Sequence, residues 1–92
     1  MKILAVCAHG LGSSFLMEMN IKKALKKLGI EAEVEHSDLS VTGNDDADLF
    51  VMGEDIAESS SLDKTRMITL KNLVSSTEYE EKLKTYFDKQ GR

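Results

Sequence analysis

One cysteine, two glycines and two adjacent serines fall within eight consecutive positions, Cys7-Ala8-His9-Gly10-Leu11-Gly12-Ser13-Ser14. The stretch follows a short apolar run, Ile3 to Val6, and precedes a run with helical periodicity that begins at Phe15, so it reads as a strand-loop-helix junction. A glycine-containing loop in that setting turns several backbone N–H groups towards one point, and the first turn of the helix adds unpaired donors and the positive end of its dipole. Such a loop cradles an anion. Gly10 and Gly12 permit close approach of the backbone, and Ser13 and Ser14 bring hydroxyls that cap the helix or bind an oxyanion. A thiol at the mouth of the cradle is expected to titrate below the ordinary cysteine range and to act as a nucleophile. The atom it attacks belongs to the anion held in the loop, which points to phosphoryl transfer to sulfur. A cysteine alone is more often a small buried hydrophobe, but here glycines and serines accompany it.

The elements that position this junction follow from the remaining pattern. Residues 2–6 form a continuous apolar run, as in a strand covered on both faces of a parallel sheet. From Ser14 to about Leu28, Met17, Ile21, Ala24, Leu25 and Leu28 recur at helical spacing, and Gly29 supplies a stop. Glu31 to His36 alternates Ala32 and Val34 with charged residues and predicts an edge strand. Ser37 to Asp46 is polar and predicts an irregular connection with one turn. Leu49 to Met52 predicts a buried strand closed by Gly53, followed by a short helix from Glu54 to about Leu62. Met67 to Leu70 predicts the fourth strand. Ser75-Ser76-Thr77-Glu78 has capping-box spacing before a last helix with Tyr79, Leu83, Tyr86 and Phe87 on its inner face. Strands alternating with helices imply an α/β fold, a four-stranded parallel sheet in a doubly wound three-layer sandwich of strand order 2-1-3-4. Cys7 then lies at the carboxyl end of the first strand, beside the crevice where such sheets bind ligands.

Composition narrows the function. The 92 residues suit one domain, 1–92, with a modest core. Twelve basic residues against sixteen acidic ones give a net charge of -4, so no general basic field invites nucleic acid. No apolar run approaches the roughly 20 residues of a membrane span, and the N-terminal apolar segment is too short for a signal peptide. The lone thiol leaves no internal disulfide, no Cys-x-x-Cys pair and no cysteine metal cluster. A cytoplasmic protein is expected, with no cofactor and no metal. Asp45, Asp46 and Asp48 lack the remaining ligands of a calcium loop and read as a solvated turn.

The pattern Cys-x-x-Gly-x-Gly-Ser-Ser, directly after the first strand, resembles the phosphocysteine loop of the IIB components of the bacterial phosphoenolpyruvate-dependent sugar phosphotransferase system. Within that group, among the lactose/cellobiose-related IIB proteins, it is most similar to the ascorbate class, through Ser13, Ser14, Met17 and Met19 and, near the C-terminus, Asn72-Leu73 with the helix bearing Tyr79 and Leu83. The resemblance implies that Cys7 accepts a phosphoryl group from a phosphohistidine on a IIA protein. It then implies transfer to an ascorbate-like sugar held by a membrane IIC transporter, through which alone the domain would meet the membrane. Ala8, His9, Gly10, Leu11, Gly12, Ser13 and Ser14 would hold the transferring phosphate, with no metal required.

Two alternatives use the same residues. A low-molecular-weight tyrosine phosphatase has a Cys-x5-Arg loop after its first strand, but this chain has Ser13 where the arginine belongs and no proline for an Asp-Pro acid loop. A non-catalytic anion-binding or regulatory domain would retain the fold without needing the nucleophile. Neither the lysine of a nucleotide-binding P-loop nor the acidic cluster of a receiver domain is present. His9 is read as a solvated loop residue that tunes the field, and His36 as exposed or structural. A further expectation concerns the helix after the loop. At about 100° per residue, Phe15, Met19, Lys22 and Lys26 lie on a stripe turned away from the buried side, and they are read as an apolar docking spot with a basic rim.

Overall fold

A computed structural model describes residues 1–7 and 12–90, with residues 12–14 described by backbone alone. The elements in chain order are β1 (Lys2–Cys7), α1 (Gly12–Leu28), β2 (Glu33–Asp38), β3 (Leu49–Gly53), α2 (Glu54–Glu58), β4 (Met67–Leu70) and α3 (Ser76–Lys89). The four strands form one parallel sheet in the order β2-β1-β3-β4, as the alternation of elements requires.

The continuous apolar runs of β1 and β3 are explained by two separate cores, one on each face of the sheet. Ile3, Ala5, Leu49 and Val51 point to the side carrying α1 and α3, where they meet Met17, Ile21, Leu25, Tyr79, Leu83 and Phe87. Leu4, Val6, Phe50 and Met52 point to the other side and pack with Leu62 and Ala47, Ile56 of α2 joining them. The period of two sorts successive strand residues into these layers. Cys7 has the parity of Ile3 and Ala5, so it belongs to the α1 side.

Local signals fix α1 well. Gly29 adopts φ 74°, and the Ile30 N–H reaches the Leu25 carbonyl at 2.9 Å while the Gly29 N–H reaches Lys26 at 3.3 Å, the paired bonds of a Schellman stop. Lys26 and Lys27 lie in the last turn, where cations suit the helix dipole. The helix starts at Gly12 rather than at Ser14, because first-turn N–H groups need no intrahelical partner and glycine is tolerated there.

Elsewhere tertiary pairing moves the boundaries. The edge strand β2 runs from Glu33 to Asp38, not from Glu31 to His36, since pairing with β1 carries it through polar Ser37 and Asp38 up to the level of Cys7. The connection from 39 to 48 contains two 3-10 turns, Leu39–Val41 and Asn44–Asp46, where one was expected. Asp46 and Asp48 spend their carboxylates on the backbone N–H groups of Gly43 and Lys2. Arg66 stitches this connection down with bonds to the carbonyls of Ala47 and Asn44, both 3.0 Å, and lies over the Phe50 ring. The second helix stops at Glu58, short of the expected Leu62, because the Ser60 hydroxyl takes the Leu62 N–H and Leu62 turns into the core.

The capping box before α3 forms only in half. Ser75 Oγ accepts the Glu78 N–H at 3.3 Å, but the Ser75 N–H is used by the Asn72 carbonyl. The Glu78 carboxylate instead accepts the N–H groups of Lys71 and Asn72, both at 2.8 Å, and pairs with Lys82. Lys82 also donates to the Thr69 carbonyl on the outer edge of β4. These two side chains therefore seal part of an edge that has no neighbouring strand, a charged guard against unwanted pairing. Tyr79, Leu83 and Phe87 are buried as expected, while Tyr86 is only half-buried. The Tyr79 hydroxyl donates to the Leu73 carbonyl at 2.7 Å, and burial pushes its pKa up to about 12.

Burial opposes ionisation of Glu78, but the two accepted N–H bonds and Lys82 outweigh it and hold the carboxyl below its ordinary range. A carboxyl lowered in the folded state stabilises the fold above its unfolded pKa, and that contribution fades as pH falls through the folded one. Glu78→Gln should therefore lower unfolding stability by about 1 kcal/mol at neutral pH. In urea titrations at pH 7 and at pH 3 the gap between variant and wild type should shrink at the acid end; an equal gap at both would remove the charge-based account.

Candidate active site

The carboxyl ends of the strands form one row. Asp38 pairs with Cys7 across β2 and β1, Gly53 pairs with Leu70 across β3 and β4, and Gly53 lies two residues past the Ala5–Val51 pair, level with Cys7. The direction in which successive strands are added reverses between β1 and β3, since β1 is followed by the strand on one side and β3 by the strand on the other, while all four strands run parallel. Their carboxyl ends flank the crevice where open α/β sheets bind ligands. Cys7, half-buried, stands at that crevice on the α1 side of the sheet. Glycine suits position 53, where β3 passes into α2, because a Cβ there would stand 2.9 Å from Asp55 Oδ1 and 3.6 Å from Leu73 Cδ2.

From Cys7 the chain needs only four residues to enter α1 at Gly12. The start of a 17-residue helix carries unpaired N–H donors and no acidic side chain, so its field favours an anion. Ala8, His9, Gly10 and Leu11, expected in the phosphate cradle, lie outside the described residues, as do the side chains of Ser13 and Ser14, while Gly12 is described by its backbone. The backbone of the last three forms the opening turn of α1.

The four residues of the expected outer stripe all face solvent. Phe15 is 56% exposed and Met19 42%, and Lys22 and Lys26 are exposed as well. Met17, Ile21, Ala24 and Leu25 are buried on the opposite side. The rim is less purely basic than its sequence implies. Glu18 accepts from Lys22 at 2.9 Å and meets His36 Nδ1 at 2.7 Å, and these bonds hold its carboxyl below the ordinary range. His36 is exposed, as expected, and its ring stands edge-on to Phe15 at 6.4 Å. A carboxylate, an imidazole and a phenyl ring thus tie the first turns of α1 to β2.

Sequence spacing missed several neighbours. Leu16 is also exposed on α1, and Val41 and Val74 are exposed in the connections that leave β2 and β4 at the same end of the sheet as Cys7. Asp38 beside Cys7 was not singled out either; its carboxylate accepts from the N–H and hydroxyl of Ser40. No periodicity reveals these residues, because each lies in a different connection or strand, and only the strand order gathers them.

The fold is similar to a low-molecular-weight protein tyrosine phosphatase from Bacillus subtilis (TM-score 0.62, 16% identity, all of both chains covered). It is equally similar to the lactose-specific IIB component domain of the phosphotransferase system from Streptococcus pneumoniae (TM-score 0.63, 15% identity, 96% of this chain and 95% of that one). A low-molecular-weight phosphotyrosine phosphatase from Vibrio cholerae O395 gives a TM-score of 0.61 at 12% identity, over 100% of this chain and 99% of that one. At these identities the likeness speaks for fold alone. None of the curated proteins compared matches the chain. The sequence profile of the phosphotransferase system's lactose/cellobiose-specific IIB subunits matches residues 2–85, and the chain belongs to that family.

The two sides of α1 should respond differently to truncation. Met17→Ala, which removes a buried side chain, should cost about 2–4 kcal/mol, whereas Phe15→Ala should cost about 0.5 kcal/mol or less. Chemical denaturation of both variants checks this; a large loss from Phe15→Ala would show that the ring serves the fold.

Proposed function

We propose that the protein is a phosphoryl carrier acting in the cytoplasm between a IIA donor and a membrane IIC transporter. The placement of Cys7 at the end of β1, beside the crevice and four residues ahead of α1, carries this reading, and membership of the IIB family supports it. The Cys7 thiolate attacks the phosphorus of a phosphohistidine; a P–S bond forms as the P–N bond breaks, and the electron pair returns to the imidazole. A sugar hydroxyl bound by IIC then attacks the same phosphorus, the P–S bond breaks, the hydroxyl proton leaves to a base, and the thiolate is restored. Backbone N–H groups from Ala8 to Ser14 and the hydroxyls of Ser13 and Ser14 are assigned to share the charge of the transferring group. The sugar is assigned to the ascorbate type on the pattern Ser13, Ser14, Met17 and Met19. Of these, Met17 is already accounted for by core packing.

A second reading, hydrolysis, is favoured by the likeness to the two phosphatases. Against it, Ser13 occupies the position of the guanidinium that grips phosphate in that class, and the chain has no proline for an Asp-Pro acid loop. Slow attack by water suits a carrier, whose phosphocysteine must last until the acceptor arrives. Turnover of p-nitrophenyl phosphate at phosphatase rates would favour the second reading.

Incubation with phosphoenolpyruvate, the general phosphocarriers and a cognate IIA should add one phosphoryl group by mass. Cys7→Ser should remain unlabelled; labelling equal to wild type would end the assignment, and an unlabelled wild type would favour a non-catalytic anion-binding domain. Phe15 and Met19 are assigned to the docking surface, with Lys22 and Lys26 as its rim. Phe15→Ala or Met19→Ala should slow transfer from IIA at low IIA concentration and recover at saturation. Wild-type rates in both variants across the whole concentration range would place the docking surface elsewhere.

A further inference from the structure

A second charged surface lies away from the Cys7 end, on the outer edge of β4. There a groove of about 460 Å³ runs between α3 and the 3-10 turn Lys64–Arg66 that leads into β4. Lys64 stands on one wall. Lys82, Tyr86 and Lys89 come from the other, at helical spacings that bring them to one face of α3. No carboxylate residue lines the groove. That is a local inversion in a chain of net charge -4. Lys82 is engaged by the Thr69 carbonyl and by Glu78, but Lys64, Lys89 and the Tyr86 hydroxyl have no hydrogen-bond or ion-pair partner among the described residues. At Thr65, Tyr86 and Gln90 the groove adjoins a recess of about 560 Å³ that is lined by Arg66 but also by Asp48, whose carboxylate accepts the Lys2 N–H, so the carboxylate-free stretch is the groove itself.

We propose that this groove docks an acidic, extended peptide segment of a partner protein. An extended chain sends successive side chains to opposite sides, and here both walls present ammonium groups to receive them. Met67, Ile68 and Thr69 of the edge strand β4 line the groove between these cationic groups. Nucleic acid fits less well, because its tracking needs a longer cationic path and open aromatic faces for stacking, whereas Tyr86 already packs edge-on against Phe87 at 5.5 Å. The surface is separated from β1 by β3, so it would hold a partner without covering the thiol.

The test uses the full chain and fluorescein-labelled hexaglutamate in low-salt buffer, read by anisotropy, with amide NMR shifts to locate binding. Saturable binding should appear, with shifts confined to β4, the turn before it and the second half of α3. The double variant Lys64→Glu/Lys89→Glu should weaken it by about tenfold, equivalent to about 1.4 kcal/mol, while Lys23→Glu on α1 leaves it unchanged. Circular dichroism establishes that the double variant is folded, and each single variant is measured beside it, so loss of structure cannot stand in for loss of contact. The proposal is overturned by no saturable binding, by equal weakening in Lys23→Glu, by shifts centred on α1, or by inorganic phosphate or a single-stranded oligonucleotide binding more tightly than the peptide.

Discussion

The whole arrangement depends on β1 being paired on both edges and covered on both faces. Its backbone is shared between β2 and β3, and its side chains divide between two cores, so the strand cannot shift by one residue without moving each buried group to the wrong layer. The thiol inherits that rigidity. A side chain on a long loop would sample many positions, whereas Cys7 is the last residue of a strand held on both edges and both faces.

Helix α1 carries the same constraint to its own N-terminus. Its inner side is locked against the sheet and α3 by Met17, Ile21, Ala24 and Leu25, which fixes where its N-terminus stands relative to β1. The helix is held at its far end by the Schellman stop at Gly29 and near its start by the Glu18–His36 contact to β2. Because the inner stripe supplies the buried packing of the helix, exposed Phe15, Leu16 and Met19 are tolerated on its outer side, where Phe15 meets the edge of the His36 ring. The fold thus leaves an apolar surface near Cys7 at little cost to stability.

The two edges of the sheet are guarded by different means. The outer strand β2 carries exposed Glu33 and Glu35, and Glu35 is paired with Lys2. The outer strand β4 is short; Lys82 from α3 meets its Thr69 carbonyl, and Glu78 takes the N–H groups of Lys71 and Asn72 just beyond its end. Both devices oppose sheet extension, which matters for a small parallel sheet with two open edges.

Much of this was legible in the chain itself. The continuous apolar runs Ile3 to Val6 and Leu49 to Met52, the alternation around Val34, the short run from Met67 to Leu70, the helical spacing from Met17 to Leu28 and the stop at Gly29 pointed to four parallel strands between helices, because local periodicity and glycine chemistry need no distant partner. The same periodicity separated Met17 from Phe15 and so distinguished the buried side of α1 from its exposed one. Tertiary pairing decided what periodicity does not encode. It carried β2 through Ser37 and Asp38, because a polar edge residue becomes strand only when a neighbour offers hydrogen bonds. It turned the Glu78 carboxylate from its own helix cap to the Lys71 and Asn72 N–H groups, since the Ser75 N–H was already taken. And it set Asp38, Val41 and Val74 at the Cys7 end of the sheet, residues far apart in the chain that only the strand order 2-1-3-4 places at the same end.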